Sequence, residues 1–235
     1  MSFLDLRPTD APAIIPASGD DAITFRQLLD DAKRLGRSLA SDKLVVLVRS
    51  RNDRLSVTSY LAAQLGGHAV ALIDGSKPSS EHSDMLERYR PDVVFGSAGT
   101  AAELEAMGVA PDSVEEVLGG ELVTLPAAGG ERPHPDLALL LGTSGTTGST
   151  KYVRLSQRSI EANARSIASY IGIGPDERPI TVLPLHYSFG LSVLNSHWLA
   201  GAALVLTTES VMQQSFWSAV AEHGCTSLAL SLIHI

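Results

Sequence analysis

Leu140-Leu141-Gly142-Thr143-Ser144-Gly145-Thr146-Thr147-Gly148-Ser149-Thr150-Lys151-Tyr152-Val153-Arg154-Leu155 joins an apolar run to an alternating one through a glycine-rich interval. The apolar run, residues 137–141, stops at Gly142, and no large apolar side chain follows until Tyr152. The pattern predicts strand, loop, strand. Such a loop suits a polyanion. Its glycines allow close backbone approach and positive φ, and successive N–H groups form a concave anion nest. The hydroxyls of Thr143, Ser144, Thr146, Thr147, Ser149 and Thr150 add neutral donors that rotate to suit several oxygens. Lys151 supplies one point charge at the end.

The interval is not a Walker A element, which places its lysine directly after the last glycine and continues into a helix. Here Ser149 and Thr150 separate Gly148 from Lys151, and residues 152–155 read as extended. The order T-S-G-T-T-G-S-T-K closely resembles the phosphate-binding loop of the adenylate-forming superfamily, [ST]-S-G-[ST]-T-G-x-[PT]-K. That superfamily comprises acyl-CoA synthetases, peptide-synthetase adenylation domains and luciferases. The resemblance implies that Thr143, Ser144, Gly145, Thr146, Thr147, Gly148, Ser149, Thr150 and Lys151 hold the phosphates of ATP, with Mg2+. It also implies a small carboxylic acid as substrate. The acid attacks the α-phosphorus, pyrophosphate leaves, and a thiol of coenzyme A or of a pantetheine arm on an acyl carrier protein then takes the acyl group.

A second motif follows at Ile180-Thr181-Val182-Leu183-Pro184-Leu185-His186-Tyr187-Ser188-Phe189-Gly190, a buried-type strand and a proline-initiated aromatic loop. A helical stretch through Leu191, Leu194, Trp198 and Leu199 comes next. The loop resembles the superfamily motif whose aromatic pair lines the tunnel between ATP and the carboxylate. Aligned on Pro184, the family's frequent gating histidine falls on Tyr187, while this chain's histidine stands one place earlier, at His186. Tyr187 is therefore the candidate gate and His186 its neighbour in the wall.

The remaining chain predicts an α/β fold. Thr24 and Gln27 form a capping box opening a helix with Phe25, Leu28, Leu29, Ala32, Leu35 and Leu39 on one face. Residues 44–48 are a short apolar run suited to a buried parallel strand. Asn52 and Asp53 start a helix ended by Gly66 and Gly67, and residues 69–73 form the next strand. Ser79 and Ser80 cap a charged helix ending at Pro91, before a strand at 93–95. Later come a helix with Ile160, Ala164, Ile167, Ala168 and Ile171 on one face, a strand at 203–206, a helix through Phe216, Trp217 and Val220, and a strand at 226–229. The alternation predicts parallel sheets with flanking helices. By resemblance this is the N-terminal part of the acyl-CoA synthetase-like fold, incomplete. Residues 1–125 are expected as a first subdomain, 126–136 as a Pro/Gly-rich linker, and 137–229 as the start of the phosphate-loop subdomain.

The chain has 235 residues, 44% of them apolar, enough for a substantial core. A net charge of −8 without a basic cluster argues against nucleic acid and anionic membranes as partners. No apolar run approaches the roughly 18 residues that span a bilayer, and the first residues lack a basic stretch followed by a long apolar core, so no signal peptide is expected. One cysteine excludes an internal disulfide and fits a cytoplasmic protein. The histidines show no paired metal-ligand spacing, so no metal site is expected. Cys225, before an apolar strand, reads as a core residue.

Leu230-Ser231-Leu232-Ile233-His234-Ile235 is what one reading frame of a common sequencing-library transposon end encodes. The expectation is a foreign tail on a gene fragment. The adenine-packing segment, the ribose-binding aspartate and the C-terminal domain with its catalytic lysine, all implied by the resemblance, would then lie outside the sequence. No catalytic residue is assigned within it. Two other function classes stay open: a phosphoryl-transferring NTPase or kinase, distinguished by releasing ADP rather than AMP and pyrophosphate, and a non-catalytic binding fragment.

Overall fold

The computed structural model describes residues 5–19, 21–127, 132–143 and 151–230. Residues 144–150 of the glycine-rich interval and 231–235 of the expected tail lie outside them. In chain order the first elements are β1 (Pro12–Pro16), β2 (Ile23–Thr24), α1 (Phe25–Arg37), β3 (Val45–Ser50), α2 (Arg54–Leu65) and β4 (Ala69–Asp74). A 3-10 turn at Ser79–His82 leads into α3 (Ser83–Tyr89), β5 (Val93–Ser97), α4 (Thr100–Ala106), β6 (Ser113–Val117) and β7 (Gly120–Thr124). Then come β8 (Leu137–Thr143), β9 (Lys151–Ser156), α5 (Gln157–Ile171) and β10 (Pro179–Thr181). The last are α6 (Ser188–Ala200), β11 (Leu204–Leu206), α7 (Gln214–Glu222) and β12 (Ser227–Leu228).

These elements form two compact units that follow sheet membership rather than sequence order. One unit gathers residues 1–31, 52–54 and 158–235 around a five-stranded sheet of order β12-β10-β11-β1-β2. The other gathers residues 32–51 and 55–157 around a seven-stranded sheet of order β6-β7-β5-β3-β4-β8-β9. Pro126 and Asp136, the ends of the stretch expected as a linker, both belong to the second unit. The cause is the parallel pairing of β8 with β4, Val70 opposite Leu139 and Leu72 opposite Leu141, which adds the expected start of the next subdomain to the existing sheet.

The second unit's centre is parallel, as the βαβ rhythm predicts. β3 pairs in parallel with both β4 and β5, and its inner strands are buried on both faces, which is why they read as unbroken apolar runs. Ala71 and Ile73 share one face with Leu47, Val94, Val123 and Leu140, covered by Met85 of α3 and Leu104 of α4. The edges are antiparallel: β6–β7 on one side and β9 on the other. α2 is buried from Leu55 to Gln64, and Gln64 donates its amide to the Ala138 carbonyl at 2.8 Å. The helix expected from a Ser79-Ser80 cap differs in detail. Its first residues form the 3-10 turn, and the Ser79 N–H is bonded by the Glu103 carboxylate at 2.8 Å. The cap at Thr24 forms as expected, with reciprocal bonds of 2.9 and 3.2 Å to Gln27.

In the first unit, Ile15, Ile180, Ala203, Val205, Phe216 and Ala219 make the core between the sheet and α7. α6 is buried over most of its length, and the Trp198 indole donates to the Ala13 carbonyl at 3.4 Å.

Candidate functional site

The glycine-rich interval bridges two paired strands. β8 and β9 are antiparallel, with Leu141 opposite Val153, Gly142 opposite Tyr152 and Thr143 opposite Lys151. The last residue before the undescribed segment and the first after it thus face each other across the ladder. The two strands read from the sequence on either side of the interval are present, and a strand runs from Lys151 where a Walker element would have a helix. β8 is a firm base: Leu139, Leu140 and Leu141 are buried, and β4 and β9 flank it. β9 is the outer strand, with Lys151 exposed at its start. The next residue, Tyr152, turns inward and meets the Tyr89 ring edge-on, centroids 5.2 Å apart. Burial, with smaller effects of Tyr89 and Asp84, raises the Tyr152 pKa, so this phenol stays neutral beside the lysine.

The second motif lies in the other unit. After β10 the chain turns at residues 184–187, where the Tyr187 N–H donates to the Pro184 carbonyl at 3.1 Å. The Tyr187 carbonyl then accepts the Leu191 N–H at 3.0 Å, starting α6. Leu183 and Leu185 are buried while Tyr187 is 54% exposed. Alternation along the loop therefore anchors the leucines and presents the tyrosine. The His186 ring is half-buried and lies against Tyr187, centroids 4.5 Å apart. Tyr187 is not a core side chain. Phe189, two residues on, lines a cavity of about 380 Å3 with Ser192, Val193, His197, Ile167 and Leu228.

Two residues that support this loop had no functional reading in the sequence. Gly190 lies so close to the loop backbone that a Cβ there would meet the Pro184 carbonyl and come within 2.7 Å of the Leu183 oxygen. Asn52, read as a helix start, extends its side-chain amide to the carbonyls of Thr181, Leu183 and Thr207 at 3.2, 3.4 and 3.2 Å. No local pattern encodes either contact.

Among the described residues no group of three His, Cys, Asp or Glu side chains is placed to hold a metal ion. No described residue is therefore assigned to Mg2+. Cys225, expected as a core residue, is only partly buried and packs against the core of the first unit; burial raises its pKa, against a smaller opposing effect of Arg178. No helix of the described residues is long and apolar enough to cross a membrane.

An α/β protein carrying a Gly/Ser/Thr loop closed by a lysine between antiparallel strands is the class these features define. The chain belongs to the AMP-binding enzyme family, whose model matches residues 5–231. A sulfoacetate–CoA ligase of Cupriavidus necator is 31% identical over 234 residues, covering 93% of this chain and 46% of that protein. An isonitrile lipopeptide synthase of Streptomyces coeruleorubidus is 27% identical, covering 81% of this chain and 13% of that protein. Among solved structures, ATP-bound MatB from Rhodopseudomonas palustris superposes with a TM-score of 0.76 at 20% identity, covering 97% of this chain and 49% of that one. The AMP complex of O-succinylbenzoate coenzyme A synthetase from Bacillus subtilis gives a TM-score of 0.75 at 23% identity, covering 97% of this chain and 48% of that one. The fold is thus that of the N-terminal part of acyl-CoA synthetase-like enzymes. The chain spans less than half the length of each of these proteins.

Proposed function

We propose that this chain carries the ATP-phosphate site of an ATP-dependent ligase that activates a small carboxylic acid as its acyl-adenylate. The observation that carries the reading is the T-S-G-T-T-G-S-T-K sequence spanning paired strands from Thr143 to Lys151. In this reading residues 143–151 grip the β- and γ-phosphates. The carboxylate oxygen bonds to the α-phosphorus as the bond to the bridging oxygen breaks, and the electron pair leaves on pyrophosphate. Donors fixed where charge develops contribute up to about 3 kcal/mol each. Mg2+ enters with the nucleotide.

Tyr187, with His186 beside it, forms the wall past which the acid enters, and the cavity beside Phe189 takes its acyl part. The kinship with the sulfoacetate–CoA ligase supports coenzyme A as acceptor, and the lipopeptide synthase supports a carrier-bound pantetheine as the alternative. The acidic surface fits neither nucleic acid nor anionic membrane, and a cytoplasmic location accords with the single cysteine. A kinase-type reading is disfavoured because a strand, not a helix, follows Lys151.

Lys151→Ala and Gly145→Val in the full gene product test the assignment. Each is expected to lower carboxylate-dependent pyrophosphate exchange by roughly a hundredfold with little change in melting temperature. The lysine change removes charge neutralisation, and the valine blocks backbone approach. Wild-type exchange in both variants would sink the phosphate assignment, and release of ADP in place of AMP would move the protein to another reaction class.

A further inference from the structure

We propose that Asn52 is a positioning residue for the acid-entry wall at residues 183–187, an inference that rests on the function proposed above. One side-chain amide reaches three carbonyl oxygens: Thr181 at the end of β10, Leu183 at the start of the wall, and Thr207 just beyond β11. These carbonyls belong to two stretches of chain, 181–183 and Thr207, and a single NH2 group draws them to one point. Two donors shared among three acceptors make a tie stiffer than any one bond, and a buried carbonyl left without a donor is costly. The wall also lies close against Gly190, where even a methyl group has no room. Held by amide and glycine, Leu183 and Pro184 have little freedom. That fixes the turn through which Tyr187 stands out half-exposed while Leu183 and Leu185 stay buried.

Asn52 touches no reacting group in this account; it acts through the wall. Asparagine is the residue type the geometry asks for. Aspartate has the same shape but offers acceptors to three acceptors, and alanine leaves all three carbonyls without this donor.

The test has a structural arm and a kinetic arm. With 3-fluorotyrosine incorporated into the 235-residue protein, the 19F resonance of Tyr187, assigned by its loss in Tyr187→Phe, is compared between wild type, Asn52→Asp and Asn52→Ala. Tyr170, 94% exposed on α5, serves as internal control. The Tyr187 signal is expected to shift or broaden in both variants while the Tyr170 signal stays in place. In the full gene product, the KM for the acid is expected to rise roughly tenfold, as misplacement by a fraction of an ångström allows, with the KM for ATP within twofold. An unmoved Tyr187 resonance in folded variants overturns the proposal. So does a shifted resonance with unchanged acid KM, since Asn52 would then serve only stability. If the resonance shifts but wild type activates no carboxylic acid, Asn52's hold on the wall stands and the proposed function falls instead.

Discussion

His68 folds as a neutral imidazole because of what surrounds it. It is buried, its Nδ1 accepts the Leu44 N–H at 3.2 Å, and the ring fills the space where Gly66 lacks a side chain. Burial lowers its pKa, Lys43 lowers it further, and Asp92 only partly opposes this. His197 is similar: burial lowers its pKa against the opposing Val193 carbonyl at 2.8 Å and Glu177. At both sites the folded chain binds fewer protons than the unfolded chain, so stability rises with pH. It is fully present above the unfolded value near 6.5 and declines as pH falls from there through the lower folded values. Urea midpoints measured between pH 8 and 5 are expected to fall over that interval. His68→Asn keeps an acceptor without a titrating ring. It should flatten part of the decline while costing about 1 kcal/mol at pH 8 through a poorer hydrogen bond and lost packing. An identical pH profile in the variant would remove His68 from this account.

At the scale of elements, the β6–β7 hairpin holds a local conflict. Its turn places Leu118 at φ 49° and Gly119 at φ 77°, a two-residue connection with both central residues left-handed. Such turns favour Asn-Gly, and a leucine there is strained by its Cβ. Leu118 is only partly buried, so little packing is at stake. Leu118→Asn is expected to raise stability by about 0.5–1 kcal/mol, read as a higher urea midpoint with an unchanged slope. A lower midpoint would show that Leu118's packing outweighs its strain. The same hairpin shows where sequence reading ran out. β3, β4 and β8 were legible because burial on both faces leaves unbroken apolar runs, and α1 because its cap and apolar stripe agree. β6 exposes Val114, Glu115 and Glu116 at the sheet edge, so it offers no alternation to read. β1 begins and ends on proline, which suggests a loop, yet Ile14 and Ile15 pair in parallel with Leu204 and Val205. The composition of the glycine-rich interval announced itself, and Lys151 with it. Asn52 did not, because its partners lie 129 to 155 residues away in sequence.

At the scale of the whole molecule, the two units divide the labour that the proposed reaction requires. The seven-stranded unit carries β8 and β9, the strands on either side of the proposed phosphate loop, and the five-stranded unit carries residues 183–187, the proposed wall. Each candidate site sits where strands end, as expected for open α/β sheets, whose ligands bind outside the carboxyl ends of strands. Neither site contains a described carboxylate cluster for a metal, and adenylation also needs contacts to the adenine and ribose and a group that favours the leaving pyrophosphate. The chain corresponds to 46% of the sulfoacetate–CoA ligase and 48% of the O-succinylbenzoate coenzyme A synthetase. We therefore expect the 235 residues alone to be catalytically silent, with ATP held no better than in the millimolar range. One exposed lysine and neutral donors in water contribute little, since exposed ion pairs are worth about 1 kcal/mol or less. Titration calorimetry with ATP and with tripolyphosphate should give similar weak affinities, because in the proposed reading the loop contacts phosphate and not base. Lys151→Ala should weaken both. Carboxylate-dependent pyrophosphate release by the 235-residue protein itself would show that these two units already contain everything the chemistry needs, and would overturn this division of labour.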